Sequence, residues 1–399
     1  MTGLVVLVAC VLGSFLALCT LPGSIELLFL TIGGLLPVAR SLARRELPCP
    51  GRAAIIVPAH NEEESIAGCV KSLLACDSTR DGFSVFVIAD NCTDQTAHQA
   101  ELAGATALIR YAPMHRGKGY ALDFAFQALL PKFDLFIVVD ADSTVTANLV
   151  RDFVAACGEG ASALQCRYKV QNTSDSLRTR WMNIALMAFN VLRPRGRSRF
   201  GVSAGILGNG FALTRATLEK IPYQAVSVVE DLEYHIRLVR AGLKVQFVDT
   251  VTVFGEMPIT GKGVLTQRSR WEGGRFRMMV HFAPKLLREV FLGRLRLLEQ
   301  LLELLLLPLA FHVTLLVLAL ATPIAVVRIY AACSLLLVWV HLLAAIAIGG
   351  GSWRDLLSLF SAPFYILWKL KVIPQLLSNA RKGTTWVRTP RAPSKGGVR

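Results

Sequence analysis

Hydrophobic positions fall into three regimes along the chain. Residues 1–39 carry a single charged side chain, Glu26. An apolar helix needs about 20 residues to cross a bilayer. This run is therefore long enough for one long helix kinked near Pro22-Gly23, or for one span followed by a half-buried helix. A cleaved signal peptide is the competing reading, because Leu7-Val8-Ala9-Cys10 resembles a lipoprotein processing site. No basic region precedes the apolar run, however, and the run continues far past such a site. Near the other end, 304–327 and 329–350 are uncharged on either side of Arg328, which predicts a two-span hairpin. Residues 356–377 set Lys369 and Lys371 in an apolar frame, the pattern of a helix lying in the interface rather than crossing it.

From about 50 to 285 the period changes. Short apolar runs at 53–57, 85–89, 135–139 and 245–248 alternate with helix-like stretches at 63–75 and 120–130. That alternation predicts βαβ units on a mostly parallel sheet, an α/β domain. The expected organisation is an N-terminal membrane anchor at 1–45, the α/β domain with interfacial segments at 50–285, a transmembrane hairpin at 300–350, and an interfacial helix with a basic tail at 355–399. No internal repeat or low-complexity linker interrupts it.

Charge supplies an orientation. Of 399 residues 53% are hydrophobic and 18% charged, with 43 Lys+Arg against 28 Asp+Glu, a net of +15. The mean hydropathy is +0.48. These values exclude a disordered chain and a disulfide-stapled secreted domain. They also disfavour a nucleic-acid binder, which would share the charge but not the hydropathy. Arg40, Arg44 and Arg45 follow the first apolar run, and residues 369–399 hold eight Lys/Arg and no acid. The positive-inside rule then puts both the α/β domain and the tail in the cytoplasm of a multi-pass protein of the cell (inner) membrane. The nine cysteines form no CxxC pair and read as reduced, structural residues.

In open α/β sheets ligands bind beyond the carboxyl ends of the strands, and three predicted strands end in polar clusters. The first runs into Pro58-Ala59-His60-Asn61-Glu62, the second into Asp90-Asn91-Cys92-Thr93-Asp94, the third into Asp140-Ala141-Asp142-Ser143. One such end would be ordinary turn chemistry; three suggest a shared site. Asp140 and Asp142 can both reach one hard divalent cation, since Mg²⁺ takes one or two carboxylates and completes its shell with phosphate oxygens and water. The alternative is a helix-capping Asp. Arg116-Gly117-Lys118-Gly119 before a helix suits a diphosphate, or is simply a solvated basic loop; it is not a P-loop. Glu230-Asp231 opens a helix at 232–240 and could be no more than an N-terminal cap pair. Gln267-Arg268-Ser269-Arg270-Trp271 offers a guanidinium for phosphate and an indole face for a sugar, or a basic helix for anionic lipid.

Taken in order, these motifs resemble membrane-bound family 2 glycosyltransferases of the GT-A fold, including cellulose and hyaluronan synthase-like enzymes. The resemblance covers about residues 53–277. It implies a Rossmann-like GT-A domain, Mg²⁺ or Mn²⁺ as cofactor, and a role for each matching position. The metal would be held by Asp140 and Asp142. The donor site would comprise Pro58, His60, Glu62, Asp90, Lys118, Asp140, Gln267 and Arg270, with Asp90 on the uracil ring and Lys118 on the diphosphate. Asp231 resembles the base of the TED motif, with Val229 in place of Thr. Trp271, Asn209 and Glu230 fall where the family meets its acceptor. The paired Asp usual before the base-binding Asp is Ala89 here.

The resemblance implies an inverting hexosyltransferase with a UDP-sugar donor. About three expected spans are few for a polymer channel, so the favoured acceptor is a membrane lipid or lipid-linked oligosaccharide, as in exopolysaccharide or glycolipid synthesis, with a processive synthase as alternative. A nucleotidyltransferase would not need QRSRW or a base like Asp231, and a non-catalytic nucleotide-binding scaffold would not need the intact acids. A transporter would need more spans. Thr384-Thr385-Trp386-Val387-Arg388-Thr389 is more specific than a lipid-binding tail requires and is a candidate gate over the donor site.

Overall fold

The computed structural model describes residues 2–37, 51–225, 227, 229–259 and 261–381, with side chains described at all of these except 2–3, 261–266, 268–270 and 372–381. The chain opens with α1 (Thr2–Leu35), a continuous helix of 34 residues that contains Pro22. The α/β domain follows as β1 (Ala53–Ala59), α2 (Ile66–Leu74), β2 (Phe83–Asp90), α3 (Thr96–Leu102), β3 (Thr106–Arg110), α4 (Lys118–Leu129), β4 (Leu135–Val138), β5 (Ser143–Val145), α5 (Leu149–Gly158) and β6 (Ala163–Val170). After α6 (Leu177–Met187) comes a π-helical turn, Ala188–Leu192, and then α7 (Arg193–Arg199). Next are β7 (Phe211–Thr214), α8 (Arg215–Lys220), α9 (Glu230–Arg240) and β8 (Val245–Gly255). The chain then becomes helical: α10 (Gly261–Phe291), α11 (Leu298–Leu305), α12 (Leu309–Leu320), α13 (Ala325–Ile348), α14 (Trp353–Ser358) and α15 (Ala362–Arg381).

The eight strands form one sheet in the order β3-β2-β1-β4-β7-β6-β8-β5. The pairs β1–β2, β1–β4, β2–β3 and β6–β8 are parallel, and β4–β7, β6–β7 and β5–β8 antiparallel. The expected α/β architecture with a mostly parallel sheet is therefore present, and the strands expected at 53–57, 85–89 and 135–139 are its centre. Alternation along them splits the core in two, as a pleat of period 2 requires. Ile55, Val57, Val87 and Ile137 pack with Ile66, Leu73 and Phe153 on one face. Ala54, Ile56, Phe136 and Val138 pack with Leu122, Phe126 and Tyr223 on the other. Because β2 and β4 lie on opposite sides of β1, the chain reverses its winding between β1 and β4, the position at which α/β sheets open a crevice.

The helices at the two ends of the chain pack together. Among the described residues two helices, Leu4–Leu35 and Ala325–Ile348, are long and apolar enough to cross a membrane. The hairpin expected from 304–327 and 329–350 differs in its first arm, where two shorter helices meet at an angle of 79°. The reason is local: Pro308 has no N–H to donate to the Leu304 carbonyl and disfavours a helical Leu307 before it, so the helix ends at an extended Leu306 and a new one starts after Pro308. Arg328 does not interrupt the second arm, since it lies in the first turns of α13.

Basic residues of the α/β domain hold the carboxyl ends of the two long helices. Arg167 and Arg195 share Asp249 (2.8 and 2.5 Å). Arg167 also donates to the Ile348 carbonyl at 3.3 Å and Arg195 to that of Leu36 at 3.4 Å. Cations there complement the negative end of a helix. Arg40, Arg44, Arg45 and the tail motif at 384–389 lie outside the described residues.

Candidate active site

Each of the three strand ends is fixed by local hydrogen bonds. Beyond β1, Asn61 takes a left-handed conformation (φ 55°) and its side chain brackets Thr93, accepting from the Thr93 N–H at 2.8 Å. The Glu62 N–H donates to Thr96 Oγ1 at 2.8 Å, and His60 Nδ1 pairs with the Asp90 carbonyl at 2.7 Å. The first and second motifs are thus one unit. At the end of β2, Asp90 is buried and accepts from Arg110 Nη1 at 2.5 Å and from Asn91 Nδ2 at 2.9 Å. Burial raises its pKa above the usual carboxylate range, and Arg110 offsets part of the rise.

The third strand end faces the glycine loop. Lys118, first residue of α4, forms an ion pair with Asp140 and also donates to the Gly208 carbonyl. Burial alone would lower the lysine pKa; the carboxylates of Asp140, Glu230 and Asp231 reverse that and raise it, so the ammonium is held charged. Gly119 is required here: a Cβ would stand 1.9 Å from the Ala225 carbonyl oxygen. Without one, α4 starts flush against the chain that leads into α9.

Asp231 sits in the first turn of α9, where the Leu232 N–H donates to its Oδ1 at 2.8 Å. Gly208, at φ +80°, approaches so closely that a Cβ would lie 3.0 Å from Asp231 Oδ2. Burial raises the Asp231 pKa, Lys118 counteracts the rise, and Asp140 adds to it. Two acids of one strand-end site thus share one lysine.

Asn209 has a more specific geometry than its expected acceptor role. It is buried, its Oδ1 accepts from the Asp140 N–H at 3.1 Å, and its Nδ2 donates to Ser143 Oγ at 2.9 Å. The amide therefore ties down both ends of the Asp140–Ser143 loop. Gln165, which no motif marked, completes the brace: its Nε2 donates to the Asn209 carbonyl at 2.7 Å and its Oε1 accepts from the Leu207 N–H at 2.9 Å. A buried glutamine in a strand has no one-dimensional signature.

Pro58, His60, Glu62, Asp90, Lys118, Asp140, Asp142, Asn209, Glu230, Asp231, Gln267 and Trp271 all border one cavity of about 1260 Å³. The side chain of Arg270, the remaining expected residue, lies outside those described. Gln267 and Trp271 reach the cavity from α10, with Trp271 against Val170, Leu186 and Met257. Val229, in the place of the expected Thr, packs on Gly274 of the same helix.

The cavity continues beyond these polar groups. Leu309, Val313 and Val317 of α12, Val338 of α13 and Ile366 of α15 line it too. So do Phe189, Arg193, Arg275 and Glu303, none of which stood out in the sequence. Asp140 and Asp142 are carboxylates opening on a shared space, and among the described residues no cluster of three or more His, Cys, Asp or Glu could hold a metal unaided. Two hard oxygen donors fit Mg²⁺ or Mn²⁺ when phosphate oxygens and water supply the rest.

Comparison with known proteins agrees with this geometry. Residues 50–274 match the family model described as glycosyltransferase-like family 2. The chain is 28% identical over 247 residues to the probable glycosyltransferase YdaM of Bacillus subtilis, covering 60% of this chain and 58% of that one. It is 26% identical over 242 residues to a beta-monoglucosyldiacylglycerol synthase of Nostoc, covering 59% and 51%. The chain thus matches between half and three-fifths of the length of these relatives. Among solved structures, the mannosyltransferase PcManGT of Pyrobaculum calidifontis, in complex with GDP-Man and Mn²⁺, superposes with a TM-score of 0.55 at 17% identity. That match covers 93% of this chain and 97% of the other, and shows a shared GT-A fold.

Proposed function

The chain belongs to glycosyltransferase family 2, and from that premise we propose that it is an inverting, metal-dependent transferase. It moves a hexose from a UDP-sugar to a hydroxyl on a membrane lipid or lipid-linked glycan at the cytoplasmic face of the cell membrane. The observation that carries this reading is the continuity of the cavity: carboxylates and Lys118 at one end, apolar side chains of α12, α13 and α15 at the other. A water-soluble acceptor needs no such wall. The curated relatives named for making a β-glucosyl diacylglycerol support a lipid acceptor as well.

Asp231 removes the proton from the acceptor hydroxyl as its oxygen attacks the anomeric carbon. The new C–O bond forms while the bond to the diphosphate oxygen breaks, and that electron pair leaves with the nucleoside diphosphate. A raised pKa makes Asp231 a stronger base than an ordinary carboxylate. Lys118 places fixed positive charge where the diphosphate gains negative charge, beside Asp140. Asp140 and Asp142 would hold Mg²⁺ or Mn²⁺, which when bound neutralises diphosphate oxygens. Attack from the face opposite the leaving group inverts the centre, so an α-linked donor gives a β-linked product; the β of the relatives' name agrees with that outcome. Asp90, with Oδ1 occupied by Arg110 and Asn91, keeps Oδ2 to accept from a single base N–H, which suits uracil.

Calorimetry across a panel of nucleotide sugars with Mn²⁺ or Mg²⁺, followed by mass spectrometry of products formed in total lipid extract, tests this directly. Tight binding of a UDP-sugar and a mass gain of one hexose on a lipid are expected. Binding without any glycosylated lipid would count for the scaffold alternative, and serial additions to one acceptor for the processive one.

A further inference from the structure

Between its polar and apolar ends the cavity carries two arginines that the transfer mechanism does not use. Arg193 opens α7, directly after the π-helical turn Ala188–Leu192, a feature that often marks functional positions. It is only 6% exposed. No ion pair or hydrogen bond engages its guanidinium among the described residues, and its Nε is buried without a partner. Arg275 approaches from α10. Both guanidiniums pack on the ring of Phe189, at 5.4 and 5.7 Å from its centroid, and both residues line the cavity.

The surrounding acids do not neutralise Arg193 by contact. Glu26, Glu299 and Glu303 all pair with Arg197, which is fully buried. Arg275 donates to the main-chain carbonyl of Glu303 and not to its carboxylate. Among the described residues, then, Arg193 is a buried cation that no carboxylate touches. Leaving a buried charge unpaired is costly unless a ligand supplies the partner.

Its position defines the ligand. Gln267, Trp271 and Arg275 are four residues apart on one helix and all face the cavity. Successive members stand about 6 Å apart along the helix. Arg275 thus stands one turn beyond Trp271, and Leu309, Val313 and Val317 of α12 line the same cavity. A group bound at the two arginines shares that cavity with Asp231 and with an apolar wall that suits a lipid chain. Two guanidiniums match the oxygens of a phosphate, which each can take in bidentate fashion.

We propose that Arg193 and Arg275 bind the phosphate of the acceptor, which is a phosphate-bearing lipid rather than a neutral diacylglycerol. This inference rests on the lipid-acceptor reading above. The phosphate belongs either to a glycerophospholipid headgroup or to the diphosphate of a polyprenyl-linked sugar, and both present the same anion at the head of an apolar chain.

The test uses the full chain in nanodiscs of neutral phosphatidylcholine doped with phosphatidic acid, with polyprenyl-diphosphate N-acetylglucosamine, or with dioleoylglycerol. Lipid retained on the protein is read by native mass spectrometry. Wild type is expected to retain one or both phosphate-bearing lipids at least tenfold over dioleoylglycerol, and the doped lipid retained identifies the source of the phosphate. The double variant Arg193→Gln/Arg275→Gln is expected to lose that preference, while Arg193→Lys keeps part of it; UDP affinity and helical circular dichroism report that each variant is folded. Equal retention of all three lipids by wild type, or an undiminished preference in the double variant, would overturn the proposal. If the double variant does not fold, Arg193→Lys and Arg275→Lys decide it, because each keeps the charge but loses the fork, and a preference unchanged in both would count against the arginines. Failure of the lipid-acceptor reading itself looks different: no lipid gains a hexose in total extract, whatever is retained.

Discussion

The two ends of the cavity are built by different means. The donor end stands on strand termini. Parallel register places Ala59 beside Ala89 and Ile56 beside Val138, and short polar loops, braced by Asn61, Asn91 and Asn209, carry His60, Asp90 and Asp140 at fixed positions. The acceptor end is a gap between helices. Its walls come from α6, α10, α12, α13 and α15, its polar groups are the long side chains of Arg193, Arg275 and Glu303, and behind them Arg197 joins glutamates of α1 and α11. The difference assigns the tasks: a diphosphate and a metal need donors held to a fraction of an ångström, whereas an acyl or prenyl chain needs only a dry surface of adequate length. In the proposed reading catalysis belongs where the two meet, at Asp231, which lines the same cavity.

The largest expected effect breaks the junction itself. Asp231→Asn should lower transfer by roughly 10²–10⁴-fold in a coupled assay of UDP release, while calorimetry finds UDP binding unchanged. The same residue sets the acidic limb of the pH profile. Because the native pKa is raised by burial, kcat should fall as pH drops through a value above that of an ordinary Asp. The linkage has the opposite sign for stability: a raised carboxylate pKa costs stability at neutral pH, and the cost is relieved as pH falls through the native pKa. Asp231→Asn should therefore melt at a higher temperature than wild type at pH 7, with the difference shrinking in acid.

Next in size is the donor end alone. Lys118→Ala removes the fixed charge beside Asp140 and should reduce kcat by roughly 10²–10³-fold, with acceptor KM little changed. A test of the acceptor end alone follows. Arg197→Leu leaves two buried carboxylates, Glu26 and Glu303, and the half-buried Glu299 without their common cation and should cost about 3–5 kcal/mol of stability, read from the thermal or denaturant midpoint. The smallest effect sharpens the boundary. Asn209→Ala should lower kcat by about tenfold through a looser Asp140 loop, a loss of roughly one hydrogen bond to a functional group. An increase in acceptor KM with kcat preserved would return Asn209 to the acceptor site.

The same contrast governs what can be read from the sequence. The donor end is local in the chain: each motif is an apolar run ending in adjacent polar residues, so Asp140, Lys118 and Asp231 stand out in the sequence alone. The central strands are legible for the same reason, as four- and five-residue runs of Ile, Val and Phe. The acceptor end is not local. Arg193 looks like one basic residue among several in Arg193-Pro194-Arg195-Gly196-Arg197, and only packing separates it from Arg197, which meets three glutamates. Gln165 acts on Asn209 from 44 residues away. The bend before α12 is written in Pro308 but masked by the hydropathy around it, since a window average weighs side chains and not the missing N–H. Asn209 stands out for its place in Gly208-Asn209-Gly210, yet its side chain bonds inward to the Asp140–Ser143 loop.

In the proposed reading one cavity brings a nucleotide sugar and a membrane lipid together over Asp231. Radiolabelled UDP-sugars incubated with the full chain, Mn²⁺ and native lipid, followed by organic extraction, test it most directly. Label is expected in the organic phase as a β-linked glycolipid, formed by wild type and lost in Asp231→Asn. Nucleotide release with all label left in the aqueous phase, or equal lipid labelling by Asp231→Asn, would contradict it.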